Sequence, residues 1–246
     1  MKLDIIKLCF ELEIENSEFT LINKLYQYTG KDAYFFIRSL LNKFSGTSSQ
    51  SLLVSAMGNT GYTEALSDFY AFLEKDPLIS YMAATAIKNL DSSGDFGKYH
   101  HIFSQTTISP QIKQIMIMHI GELSKKKNIP YDIIEDLENN LFDENDNLRY
   151  LSLIALADIG HKKSLSAILK VFYNKEMEPF QQDMDNTLLT LFSGKDKLIR
   201  ELQAYLSIAK RSIRVIHQFS TPDKLTEQRA RVDLIERVID RLHSIP

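Results

Sequence analysis

NDNLRYLSLIALADIGHKKSLSAILKVFYNK, residues 145–175, is the stretch from which the rest of the chain can be read. Its first half places Leu148, Leu151, Leu153, Ala155, Leu156 and Ile159 at near-helical spacing, so one face of a helix is apolar. Asn145 or Asp146 is suited to cap the start by accepting a hydrogen bond from an unpaired backbone N–H. Gly160 fits the left-handed position that closes a helix. After a short polar turn, Leu165, Ile168, Leu169 and Phe172 mark a second helix. A pair this short cannot bury its apolar faces alone, so it needs neighbours.

Copies of the first helix occur along the chain. LRYLSLIALADIG (148–160), ISYMAATAIKNLD (79–91), IKQIMIMHIGELS (112–124) and SQSLLVSAMGNTG (49–61) align without gaps. One column holds Ala56, Ala86, His119 and Ala155, and the next holds Met57, Ile87, Ile120 and Leu156. A weaker fifth copy puts Thr190 and Leu191 in the same columns. A small residue beside a large aliphatic, recurring at roughly 30–36 residues, describes one helix packed closely on the next in a helical array. Gly58 and Gly121 share a further column, which reads as close helix contact.

The pattern resembles the short bacterial form of the HEAT repeat, also found in bilin lyases. Leu148-Arg149, Ala155-Leu156 and Ile159-Gly160 match its opening, centre and close, and Ala56-Met57-Gly58 matches its centre. The other copies lack the arginine, and the likeness covers residues 49–206. It implies an all-α, right-handed solenoid of about five helix pairs. It says little about activity, because one fold hosts many functions.

On this reading residues 1–46 form an N-terminal helical cap, 47–206 the repeat array, and 207–246 a long helical hairpin. Residues 1–15 fit either a strand or a helix, and helix is the choice because a strand would have no sheet partner. A helix capped by Asn16 or Ser17 is predicted to run to Gly30, and another from Asp32 to Phe44. Pro77, Pro110, Pro130, Pro179 and Pro222 mark helix starts, where a missing N–H costs nothing. Asp76, Ser109 and Thr221 precede three of them as caps. Ile199, Leu202, Leu206, Ala209, Ile213 and Ile216 form a narrow seam, and Leu225, Val232 and Ile239 repeat every seven residues, as do Gln228, Ile235 and Leu242. Two long helices with facing seams make the hairpin.

The 246 residues carry a net charge of −3 with a pI near 6.1, so nothing draws the whole chain toward nucleic acid or membrane. Cys9 is the single cysteine, in keeping with a reducing compartment, and the first residues do not read as a signal peptide. No apolar run approaches a bilayer span. The expectation is a cytoplasmic protein.

Candidate chemistry is sparse. His100 and His101 are adjacent and lack ligand spacing, so no metal is expected. Cys9 reads as a structural thiol, and His119 as a buried, hydrogen-bonded histidine. The carboxylates Glu135, Asp136, Glu138, Asp143, Glu144 and Asp146 read as a solvated face. No catalytic residue and no cofactor is expected.

Charge is uneven. Residues 197–246 hold ten Lys and Arg against six Asp and Glu, a net of +4, and seven of the nine arginines. Arg200, Arg237 and Arg241 belong to this set, and Asp233–Arg237 and Glu227–Arg231 are i,i+4 pairs. Arg211, Arg214, Arg229 and Arg231 are the candidates for binding a partner, because the guanidinium fork pairs with carboxylates. The expected function is a non-catalytic scaffold that binds another protein through an acidic segment. Two alternatives follow from the resemblance: a bilin-lyase-like protein holding a tetrapyrrole with Tyr99 and His100, or a HEAT-like nucleic-acid binder. The acidic pI and absence of tryptophan weigh against the second. Oligomeric state is not legible in the sequence.

Overall fold

The computed structural model describes residues 18–171, 181–219 and 222–244, and α-helix is the dominant element, with no strand among those residues. The expectations for residues 1–15, Cys9, Phe172 and Pro179 fall outside them. The chain divides into two compact units, Met1–Leu123 and Ser124–Pro246. That division falls within the span read from sequence as one array.

In the first unit the helices are α1 (Glu18–Leu25), α2 (Lys31–Leu40), α3 (Ser49–Asn59), α4 (Leu66–Phe72), α5 (Pro77–Leu90), α6 (Phe96–Ser104) and α7 (Pro110–Ser124). In the second they are α8 (Tyr131–Asn140), α9 (Asp146–Ile159), α10 (Leu165–Val171), α11 (Gln181–Leu191), α12 (Lys195–Phe219) and α13 (Pro222–Ser244). Several boundaries follow the sequence signals. Pro77, Pro110 and Pro222 open their helices. Asp76 accepts from the Leu78 N–H at 2.9 Å, and Asn145 from the Leu148 N–H at 3.1 Å. Gly160 closes α9 at φ 73°, ψ 23°, a left-handed conformation that suits a residue without Cβ.

Other boundaries differ. α1 ends at Leu25, not Gly30; a turn held by Gln27 and Tyr28 N–H bonds follows, with the Tyr26 hydroxyl on the Leu52 carbonyl at 3.3 Å. Gly30 lies at φ 86° and instead precedes α2, its N–H donating to the Thr60 carbonyl at 2.7 Å. α2 stops at Leu40, and turns carry the chain to Gly46. Pro130 is the residue before α8 rather than its first.

The two packing columns are the frame of the fold. Ala56, Ala86, His119 and Ala155 are all buried, as are Met57, Ile87, Ile120 and Leu156. In the fifth copy Leu191 is buried, but Thr190 is exposed. α3 and α5 approach closely because neither has a long side chain between them. A Cβ added to Gly58 would lie 2.7 Å from the Ala86 Cβ. α5 and α7 meet more through side chains, among them the Lys88–Glu122 ion pair at 2.8 Å. His119 takes the column position held by alanine in three other copies, and its ring packs against Tyr99. In the second unit α9 packs on α8 and α11, and α12 packs along α13.

α12 and α13 are the longest helices described, at 25 and 23 residues. Leu198, Leu202 and Ala209 of α12 are buried, as are Val232, Ile235, Val238, Ile239 and Leu242 of α13. Lys210 and Glu236 join the two helices at 2.6 Å. Arg241 Nε donates to the buried Asp185 carboxylate at 2.8 Å and so ties α13 to α11.

The Gly58 contact sets a test in which two effects oppose. Glycine to alanine inside a helix ordinarily stabilises by about 1 kcal/mol. Here the new methyl meets Ala86 Cβ, which is fixed to the backbone and cannot swing away, and overpacking of this kind costs about 1–3 kcal/mol. Gly58→Ala is therefore expected to lower the denaturation midpoint, with Ala86→Gly in the same chain recovering part of the loss. A midpoint raised by Gly58→Ala would show that α3 and α5 are not in close contact.

Candidate functional site

A buried polar network lies at the end of α5. Asp91 follows the last residue of that helix and is itself buried. The DSSGD sequence, residues 91–95, turns the chain sharply so that its own donors converge on the Asp91 carboxylate. Ser93 N–H and Oγ donate to Oδ1 at 3.0 and 2.6 Å, Gly94 N–H donates to Oδ1 at 2.8 Å, and Asp95 N–H donates to Oδ2 at 3.1 Å. Gly94 permits the turn twice over. Its φ is +67°, and a Cβ there would meet Leu123 Cδ1 at 2.9 Å and the Phe96 ring at 3.1 Å.

The network continues into α6 and α7. The Tyr99 hydroxyl lies 3.0 Å from Asp91 Oδ2 and 2.9 Å from His119 Nδ1, and the Tyr70 hydroxyl donates to Asp91 Oδ2 at 3.3 Å. Tyr99 has one proton for two neighbours, and the carboxylate has none to give. With His119 as the Nδ1–H tautomer, His119 donates to Tyr99 and Tyr99 donates to Asp91, so each contact is a hydrogen bond.

Burial sets the protonation states. Burial pushes the Asp91 carboxyl up, but the Ser93 hydroxyl, the Asp95 and Gly94 N–H groups and the Tyr99 hydroxyl outweigh it and hold the carboxyl at about 2. Burial lowers His119, with the Asp91 charge opposing. Burial raises Tyr99, with the neighbouring Tyr70 and Asp91 adding to it. The network is thus an ionised aspartate, a neutral histidine and two protonated tyrosines, and it links α4, α5, α6 and α7.

This placement bears on two residues singled out from sequence. His119 is 3% exposed and hydrogen-bonded, as expected of a core histidine. Tyr99 is 0% exposed with its hydroxyl committed, so it does not face a ligand groove; the adjacent His100 is exposed. Among the described residues no three His, Cys, Asp or Glu side chains converge to hold a metal ion. The carboxylates Glu135, Asp136, Glu138, Asp143, Glu144 and Asp146 are all exposed or half-buried. Asp146 pairs with Arg149, which is buried and also donates from Nη1 to the Asp143 carbonyl at 2.8 Å.

Two surfaces remain as candidates for binding. On the first unit, α5 presents Leu78, Tyr81, Met82 and Thr85 on one face, and α7 presents Ile115 and Met118. Leu78, Tyr81 and Met118 are 48%, 45% and 46% exposed, and both faces run toward the Lys88–Glu122 ion pair. Exposed apolar side chains that cluster are the kind of surface a partner covers. Sequence patterning did not mark this surface, because aligning 79–91 and 112–124 with their copies picks out only the packed columns. The signal was the surplus, since α5 carries apolar residues on more of its circumference than one packed face requires.

On the second unit, α10 and α13 enclose a half-open groove of about 400 Å³. Leu169, Leu234 and Ile235 form its floor, and Lys170, Arg231 and Arg237 stand on its rim. Of the arginines singled out from sequence, Arg231 lies in this groove and Arg229 is exposed nearby in sequence on α13. Arg211 is exposed on α12, with Nη2 at 3.5 Å from Ser207 Oγ and the 61%-exposed Ile208 one turn before it. The Arg214 side chain is outside the described residues.

No protein-family model and no curated protein sequence matches the chain. Among the described residues no helix is long and apolar enough to cross a membrane.

The protonation states predict how stability depends on pH. His119 has its folded value below the ordinary 6.5, so the unfolded chain takes up that proton first. Its contribution is whole above about 6.5 and declines as the pH falls below it. Asp91 falls from 3.8 to about 2 on folding, so its contribution is present above about 4 and is lost as the pH drops toward 2. Denaturation midpoints measured across this range should fall in two stages, and His119→Leu should remove the upper one. Tyr99→Phe should cost about 1–3 kcal/mol at neutral pH by leaving buried partners unsatisfied. A profile identical in wild type and His119→Leu would contradict the neutral buried histidine.

Proposed function

We propose that the chain is a non-catalytic protein-binding scaffold whose helix pairs stack in the manner of HEAT-like repeats. The observation that carries this reading is the exposed apolar face of α5 and α7, where Leu78, Tyr81 and Met118 stand in solvent. Tyrosine and methionine suit such a surface, since tyrosine supplies large contact area at small entropic cost and methionine adapts to irregular partners. The arginine-rich hairpin supplies a second region. Arg211, Arg229 and Arg231 are exposed there, and cations of this kind steer an acidic partner and fix its register. The polar network around Asp91 favours the same reading, because the group best placed for proton transfer, His119, is closed off and already bonded. Neither the tetrapyrrole reading nor the nucleic-acid reading gains a comparable observation: Tyr99 is enclosed, and the described lining of the α10–α13 groove includes no aromatic ring.

Capture from the native cell with the tagged full chain tests the proposal, using Tyr81→Glu with Met118→Glu as the comparison. Both side chains are exposed, so the melting temperature should hold. A protein retained by wild type should bind the double variant more weakly by about 2 kcal/mol or more, as expected for central aromatic anchors. Equal retention by both chains would remove this face from the binding surface.

A further inference from the structure

We infer that the groove between α10 and α13 is a docking site for a short acidic segment of a partner protein, seated by two aliphatic side chains and flanked by carboxylates. The inference rests on the scaffold reading and names the chemistry of one of its partners.

The floor sets the first requirement. Leu169 and Ile235 are almost fully buried, while Leu234 is half-buried and Ala230 exposed, so the groove is apolar at its base and open above. A cavity of about 400 Å³ is at the small end of the range for ligand sites, which suits a few side chains rather than a large planar cofactor. It lies between two helices with one side open, so a chain can lie along it and insert side chains from above.

The rim sets the second requirement. Lys170, Arg231 and Arg237 border the groove, and the described lining includes no carboxylate. Arg237 is oriented by its Nε, which donates to the Asp233 carbonyl at 3.3 Å. Arg231 and Lys170 carry the case. Arg231 presents a planar fork that can pair bidentately with a carboxylate, and Lys170 adds a point charge on the opposite helix. An apolar segment without acids would leave cations beside a drying interface, and a basic one would be repelled. An acidic segment with aliphatic anchors satisfies both floor and rim. Nucleic acid fits less well, because the described lining includes no aromatic ring on which a base could stack.

The experiment is selection from a displayed library of random peptides on the immobilised full chain, followed by affinity measurement on the enriched sequences. The expected sequences carry two aliphatic residues spaced i,i+3 or i,i+4 with Asp or Glu around them. Their affinity should fall about tenfold or more with Lys170→Glu plus Arg231→Glu, and also with Ala230→Trp, which fills the groove from an exposed position. Lys31→Glu plus Lys43→Glu, exposed on the first unit, should leave it unchanged. Enriched peptides without acidic residues, or peptides indifferent to Ala230→Trp, overturn the groove assignment. Acidic peptides that respond instead to Arg211→Glu or to Tyr81→Glu overturn it while leaving the scaffold reading in place. No enrichment at all defeats both. A single-stranded oligonucleotide that binds and is lost with the groove variants, where no peptide does, shows the partner class to be wrong.

Discussion

The absence of a side chain at Gly58 is the constraint on which the first unit depends. Ala86 Cβ stands 2.7 Å from where a Gly58 Cβ would be, so α3 and α5 meet at a separation that only small residues permit. That approach lets the adjacent Met57 and Ile87 bury completely. Burial of such side chains contributes about 1.5–3 kcal/mol each, far more than a turn of helix gains from its own propensity. The helices are short and their mutual packing is what makes them stable. In the second unit Ala155, in the column of Ala56 and Ala86, is likewise buried beside Leu156.

His119 shows what happens when the small residue is replaced. Its ring cannot be packed against a backbone as alanine can, and its nitrogen needs a partner once buried. Tyr99 meets that need, Asp91 anchors Tyr99, and the 91–95 turn saturates Asp91 with four donors from three residues. One substitution in a packing column is therefore accompanied by a polar network spanning α5, α6 and α7. Its satisfied bonds add rigidity there.

Much of this was legible in the residues. The Ala-large column, the prolines at 77, 110 and 222, the Asp76 and Asn145 caps and the Gly160 stop each reflect a local rule, and local rules do not depend on the rest of the chain. The misreadings were tertiary. Gly30 was read as a helix stop, whereas its N–H is held by Thr60 and it leads into α2. Tyr99 enters only through the tetrapyrrole alternative that the resemblance suggests, and a resemblance does not say what covers a side chain; here its hydroxyl meets His119 of α7. Arg149 was legible only as part of the repeat's opening; its burial, with Nη1 on the Asp143 carbonyl, depends on the fold. Arg231 was recognisable as a candidate, but the groove around it was not, since Leu169 and Leu234 come from helices far apart in sequence.

Native-state hydrogen exchange on the intact chain tests most directly whether the small-residue column organises the fold. Amides that open only with global unfolding report the elements that hold a domain together. The account predicts that α3 and α5 in the first unit, and α9 in the second, contain the slowest-exchanging amides, with Met57, Ile87 and Leu156 among them. The seven-residue helices α4 and α10 should exchange through smaller openings. Exchange in α3, α5 and α9 as fast as in α4 and α10 would contradict the account, because the packing column would then not be the last part of the structure to open.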